Sequence, residues 1–145
     1  MLAGRFGDTT GRPYIEAFVW IPSLRIMGAV SFLVDTGADS TVLMQLDAAR
    51  LRVDFTRLKK TRINTGIGGN STDWIVPATL LFSEPRVKMY GYDITLTIAQ
   101  PKLELETCPS LLGRDILNNW RMVYDAPGNS LNVEVIRCDR EHPLS

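Results

Sequence analysis

The chain has 145 residues, 45% hydrophobic and 22% charged, a balance that fits one globular domain and argues against a disordered segment. Sixteen basic side chains offset sixteen acidic ones, leaving no net field to hold a nucleic acid or an anionic membrane surface. No apolar run approaches the roughly 18 to 20 residues that span a bilayer, and the opening residues lack the apolar core of a secretory signal; a cytoplasmic location is expected.

Gly and Pro punctuate many short apolar runs, the pattern of an all-β domain. A first strand is expected over residues 14–21, stopped by Pro22, and a second over 29–34. The second runs directly into Asp35-Thr36-Gly37-Ala38-Asp39-Ser40, and Thr41-Val42-Leu43 leaves that turn as a third strand. A helical turn fits residues 46–51. Gly66-Ile67-Gly68-Gly69 lies between two further strands and reads as a hairpin tip, because glycine supplies the positive φ that tight turns require. Farther on, Tyr90, Tyr92, Ile94, Leu96 and Ile98 share one strand face while Asp93, Thr95 and Thr97 share the other. Residues 114–120 suit a short helix after Leu111-Leu112-Gly113. Residues 123–124 and 131–136 close a hairpin around Ala126-Pro127-Gly128-Asn129. No internal repeat is present. A single domain over residues 1–145 is expected, with its core at about residues 13–136 and a frayed, disordered tail at 137–145.

Elimination narrows the chemistry. The single histidine, His142, sits in a polar stretch and is a poor general base for a nucleophilic Ser or Cys. Cys108 and Cys138, with one histidine, lack the number and spacing of a zinc site; no metal or other cofactor is expected. The two cysteines could pair, although reduced thiols are commoner in an intracellular chain. Hydrolytic chemistry is left to carboxylates. Asp8, Asp47, Asp54, Asp73 and Asp93 read as surface charges, whereas Asp35 stands at a turn between two apolar strands. Two carboxylates in contact cannot both ionise cheaply, so they share a proton. One then takes a proton from water while the other polarises a carbonyl. This chain has one such motif. Asp35 therefore reads as half of a pair, which a second copy of the chain completes. Gly37 lets the backbone approach closely, the Thr36 hydroxyl can bond across a two-fold axis, and Ala38 leaves room for a substrate main chain.

Three motifs, in chain order, resemble the retropepsin-like aspartic proteases, the single-domain family of retroviral proteases and their cellular and bacterial relatives. Leu33-Val34-Asp35-Thr36-Gly37-Ala38-Asp39 resembles the catalytic loop, Gly66-Ile67-Gly68-Gly69 the flap tip, and Leu111-Leu112-Gly113-Arg114-Asp115 the motif before the C-terminal helix. The resemblance covers about residues 13–136. It implies an all-β, closed barrel-like acid-protease fold with a flap hairpin and one short C-terminal helix. It also implies a homodimeric aspartic endopeptidase acting on peptide or protein substrates, in the shared-proton manner established for aspartic proteases. By the same resemblance Asp35 is catalytic and Thr36 grips its partner loop. Gly37, Ala38 and Asp39 support the site and meet the substrate. Gly66, Ile67, Gly68 and Gly69 close over the substrate, with the Ile67 N–H reaching it through a water. Arg114 braces the loop by a two-point contact with Asp39. The spacings from Asp35 to the flap and to Leu111 exceed the compact viral pattern, and Asp115 stands where viral members often carry an amide. The alternative reading is a non-cleaving retropepsin-like dimerisation or peptide-binding module.

Overall fold

A computed structural model of the chain describes residues 1–66 and 69–144, with the backbone alone described at 64–66. Strands β1 (Leu2–Ala3) and β2 (Arg5–Phe6) precede a long antiparallel pair, β3 (Pro13–Ile21) and β4 (Ile26–Val34). Their connection is a 3-10 turn at Pro22–Leu24 closed by Arg25 in the left-handed region, φ 53°. Along β3 every second side chain from Ile15 to Ile21 is buried, which is the period-2 signature of a strand with one face on a core. Next come β5 (Val42–Leu43) and helix α1 (Gln45–Arg50). A hairpin follows, made of β6 (Lys60–Gly66) and β7 (Gly69–Glu84), and then β8 (Lys88–Ile98). The chain continues through β9 (Leu111–Leu112), helix α2 (Arg114–Leu117), β10 (Trp120–Asp125), β11 (Ser130–Val135) and β12 (Arg140–Pro143).

Six strands close on themselves in the order β8, β5, β9, β4, β3, β7 and back to β8. Closure removes free edges. Its interior holds Phe32, Phe82, Leu43, Leu80, Leu96, Ile98 and Leu112, all essentially without solvent contact. Tyr90 and Tyr92 belong to this core as the alternation predicts. Tyr92 also accepts a hydrogen bond from the Trp120 indole N–H at 2.8 Å and donates to the Arg137 carbonyl at 2.8 Å. Burial pushes the Tyr92 phenol up to about 12. Strands β1, β11 and β10 form a separate three-stranded sheet. Cys108 and Cys138 are free thiols.

The structured region is wider than residues 13–136. Leu2 is buried beside Val133, its register partner across β1 and β11. Beyond residue 136 the expected frayed tail is instead β12, laid antiparallel on Lys88–Gly91 of β8. That stretch of β8 extends past the ring and presents an open edge, which the tail fills with main-chain hydrogen bonds and charge. Arg140 pairs with Asp93, the Asp93 N–H donates to Asp139 Oδ2 at 2.7 Å, and Lys88 Nζ donates to Glu141 Oε2 at 3.2 Å. All four β12 residues are exposed, so no apolar alternation marks the strand. Two aspartates read as surface charges are also enclosed. Asp73 is 9% exposed and accepts from the Gln100 N–H and the Ser71 hydroxyl, both at 3.2 Å, while Asp47 accepts from the Ser110 hydroxyl at 2.7 Å.

The Thr79 hydroxyl, 2.7 Å away, and next the Arg140 guanidinium hold the Asp93 carboxyl below the usual aspartate range. A lowered folded-state value means that the contribution is present above the unfolded value of about 3.9 and fades as pH falls through the lowered one. Arg140→Ala is therefore expected to cost up to about 1 kcal/mol at neutral pH, as for an exposed ion pair. Urea unfolding should show that difference shrinking toward zero in acid; a constant difference across pH would remove the electrostatic clasp.

Candidate active site

Asp35 follows the last residue of β4, where the strand leaves the barrel. Parallel pairing of β4 with β9 aligns Leu33 with Leu111 and Val34 with Leu112. The Leu33 N–H donates to the Ser110 carbonyl at 2.8 Å and the Asp35 N–H to the Leu112 carbonyl at 3.0 Å. The carboxylate is partly buried. Its Oδ1 accepts the Gly37 N–H at 2.9 Å, an Asx-type turn that fixes the side chain over its own loop. A Cβ at Gly37 would stand 3.2 Å from that oxygen, so glycine leaves the carboxylate uncrowded.

Residues 36–41 are tied to 113–115 from several directions. The Arg114 N–H donates to the Ala38 carbonyl at 2.9 Å. The Arg114 guanidinium is divided: Nη1 donates to the Thr36 carbonyl at 2.7 Å, and Nη2 pairs with Asp39 Oδ1. The expected meeting of Arg114 and Asp39 occurs, but the fork spans a carbonyl and a carboxylate rather than both oxygens of Asp39. Asp39 itself is 89% exposed, so the pair orders the loop more than it stabilises the fold. Thr36 and Gly37 are exposed, and Ala38 is partly buried.

Behind this surface lies a buried latch that sequence reasoning assigned no role. Thr41 has no solvent exposure. Its N–H and hydroxyl donate to Asp115 Oδ2 and Oδ1 at 3.0 and 2.7 Å, while its Oγ1 accepts the Gly113 N–H at 3.2 Å. Asp115 also accepts the Ile116 N–H at 3.0 Å. Gly113 packs so closely that an added Cβ would lie 2.5 Å from the Ser40 carbonyl carbon, closer than any side chain permits. A second anchor is Ser110, fully buried, which accepts the Met44 N–H at 2.9 Å while donating to Asp47. Polar Thr41 and Ser110, each beside an apolar pair, were the available signal.

Gly66 and Gly69 are register partners at the end of the β6–β7 hairpin, and Gly69 has φ 103°, the backbone that a glycine tip supplies. Ile67 and Gly68 lie outside the described residues. At the hairpin base Trp74 packs on Phe55, ring centroids 5.0 Å apart. Among the described residues no three His, Cys, Asp or Glu side chains gather where a metal could bind, and no helix is long and apolar enough to cross a membrane.

A family model described as aspartyl protease matches residues 24–115, from before β4 through the Leu111–Asp115 motif. The chain belongs to the aspartyl protease family. Its fold is retropepsin-like. It is similar to the crystal structure of a retropepsin-like aspartic protease from Rickettsia conorii, with a TM-score of 0.63, 22% identity, and coverage of 99% of this chain and 92% of that one. The EIAV protease, solved with the inhibitor HBY-793, aligns over 77% of this chain and 90% of its own, with 23% identity and a TM-score of 0.48. No curated protein matches the sequence.

The latch and the exposed brace have different expected costs. Asp115→Ala strands the buried Thr41 donors and should destabilise by about 2–3 kcal/mol, whereas Arg114→Ala should cost under about 1 kcal/mol. Urea unfolding of both variants checks the order, and a larger loss in Arg114→Ala would contradict it.

Proposed function

We propose that this chain is an aspartic endopeptidase that hydrolyses peptide bonds as a homodimer, each copy lending Asp35 to one site on a two-fold axis. One observation carries the reading: Asp35 is a loop carboxylate held by the Gly37 N–H on a braced turn, while Asp39, the loop's other carboxylate, is committed to Arg114. Acid–base hydrolysis by carboxylates needs two of them in contact. An isologous interface meets that need with one residue, because a two-fold axis brings two copies of the same side chain together.

In the proposed reaction one Asp35 accepts a proton from a water as that water attacks the scissile carbonyl. The other donates its proton to the carbonyl oxygen, giving a tetrahedral intermediate with no covalent link to the protein. Proton return to the leaving nitrogen then completes cleavage. The Thr36 hydroxyl bonds the counterpart loop across the two-fold axis in this reading. Gly37, Ala38 and Asp39 offer main-chain contacts to an extended peptide, and the hairpin tip at Gly66, Ile67, Gly68 and Gly69 closes over it. The retropepsin-like fold and the family match support this assignment, and a cytoplasmic setting is part of it.

Asp35→Asn should abolish turnover of a peptide library while leaving the thermal unfolding midpoint nearly unchanged, which full-chain assays and calorimetry would check. Activity should also follow a bell-shaped, acid-shifted pH profile reporting the dyad as a pair. Cleavage by Asp35→Asn at the wild-type rate would refute the mechanism. Absence of cleavage by the wild type, together with peptide binding, would favour the non-cleaving module.

A further inference from the structure

The strand partners of β7 leave a gap. On one edge β7 pairs with β8 throughout Trp74–Glu84. On the other it pairs with β6 only as far as Ile75 and with β3 only from Thr79 to Leu81. Val76, Pro77 and Ala78 therefore have no strand beside them on that side. Pro77 has no N–H to leave unpaired, which suits a break in a ladder. The gap opens as a cleft of about 500 Å³, with Ile75, Val76 and Pro77 as floor and Ser23, Arg57, Leu58, Lys59 and Lys60 among its walls.

Charge around the cleft is one-sided. Its lining holds three basic side chains, Arg57, Lys59 and Lys60, and no acidic one, although the whole chain is neutral. The nearby acid Asp54 accepts from the Thr56 N–H and hydroxyl at 3.0 and 2.6 Å, and these bonds, with the Arg57 charge a lesser cause, hold its carboxyl below the usual aspartate range. Arg57 is held at the wall, Nη2 donating to the Ser23 carbonyl at 2.9 Å, and its planar guanidinium suits a carboxylate entering the cleft. Lys59 and Lys60 are exposed and make no ion pair among the described residues. Strand β6, ending the sheet, also presents an open edge next to the cleft, and such an edge accepts an extended chain by main-chain hydrogen bonds.

The geometry points to a docking site for an acidic, extended segment of a protein substrate, held in the cleft at the base of the β6–β7 hairpin and separate from the Asp35 loop. Carboxylates meet Arg57, Lys59 and Lys60, and interspersed apolar side chains meet the floor. An apolar floor and one short cleft favour a peptide over a nucleic acid, which needs a longer cationic track along its phosphates. This inference rests on the endopeptidase reading for the word substrate only; the docking itself does not depend on hydrolysis.

Binding and turnover can accordingly be measured apart. A fluorescent peptide rich in Asp and Glu, titrated with the full-length Asp35→Asn chain, should bind, and its Asn/Gln counterpart should bind at least about tenfold more weakly. Adding Lys59→Glu and Lys60→Glu should weaken the acidic peptide by about tenfold or more, as should raising salt from about 50 mM to about 300 mM. In the Asp35-intact chain, an acidic extension on a cleaved peptide should lower KM and leave kcat unchanged. Equal binding of the acidic and neutral peptides, or no effect of the double substitution, would overturn the site. Tighter binding of a short oligonucleotide, lost in the same double variant, would overturn the peptide assignment. If binding behaves as expected but no peptide is cleaved, the docking site stands and the endopeptidase reading falls.

Discussion

The structure depends on one close approach: the backbone at Ser40 lies against Gly113, with Thr41 latched into Asp115 behind it. Residues more than seventy positions apart are thereby held edge to edge. Parallel pairing of β4 with β9 sets the height of Asp35, and the latch stops the following loop from sliding. Arg114, on the first turn of α2, then reaches over the surface to the Thr36 carbonyl and Asp39. The buried contacts supply rigidity and the exposed ones supply orientation. That division follows from burial, since an unmet donor inside costs far more than a solvated ion pair contributes.

Much of this was legible in the sequence. The Tyr90 to Ile98 face falls where alternation places it, and the apolar runs 14–21 and 29–34 lie within β3 and β4. Asp35 stood out because an apolar strand ended on it, and the meeting of Arg114 with Asp39 was visible through motif resemblance. The features that local sequence does not encode share a cause. Strand β12 is polar throughout and forms because β8 offers an edge, not because its own residues demand a strand. Asp47 and Asp73 looked like surface charges because nothing local shows that Ser110 and Gln100 approach them from distant segments. Division of the Arg114 fork between a carbonyl and a carboxylate is likewise a property of loop shape, which no side-chain pattern encodes.

The same physics separates the Asp35 loop from the cleft at the hairpin base. Around Asp35 the loop is held by several backbone contacts: the Gly37 N–H on the carboxylate, the Ala38 N–H on the Asp35 carbonyl, and Arg114 on the carbonyls of Thr36 and Ala38, as a site that must hold a carboxylate steady requires. At the hairpin base the pattern is reversed: a sheet with missing partners, exposed lysines and an apolar floor. On the proposed reading, the Asp35 loop does the cutting and the cationic cleft holds the acidic segment.

In the proposed dimer one chain carries only half of the hydrolytic apparatus. Mixing wild-type and Asp35→Asn chains under exchange, at fixed total concentration, measures this most directly. Activity is expected to fall as the square of the wild-type fraction, because only dimers with two intact carboxylates turn over. A fall in simple proportion to the wild-type fraction would mean that each chain works alone.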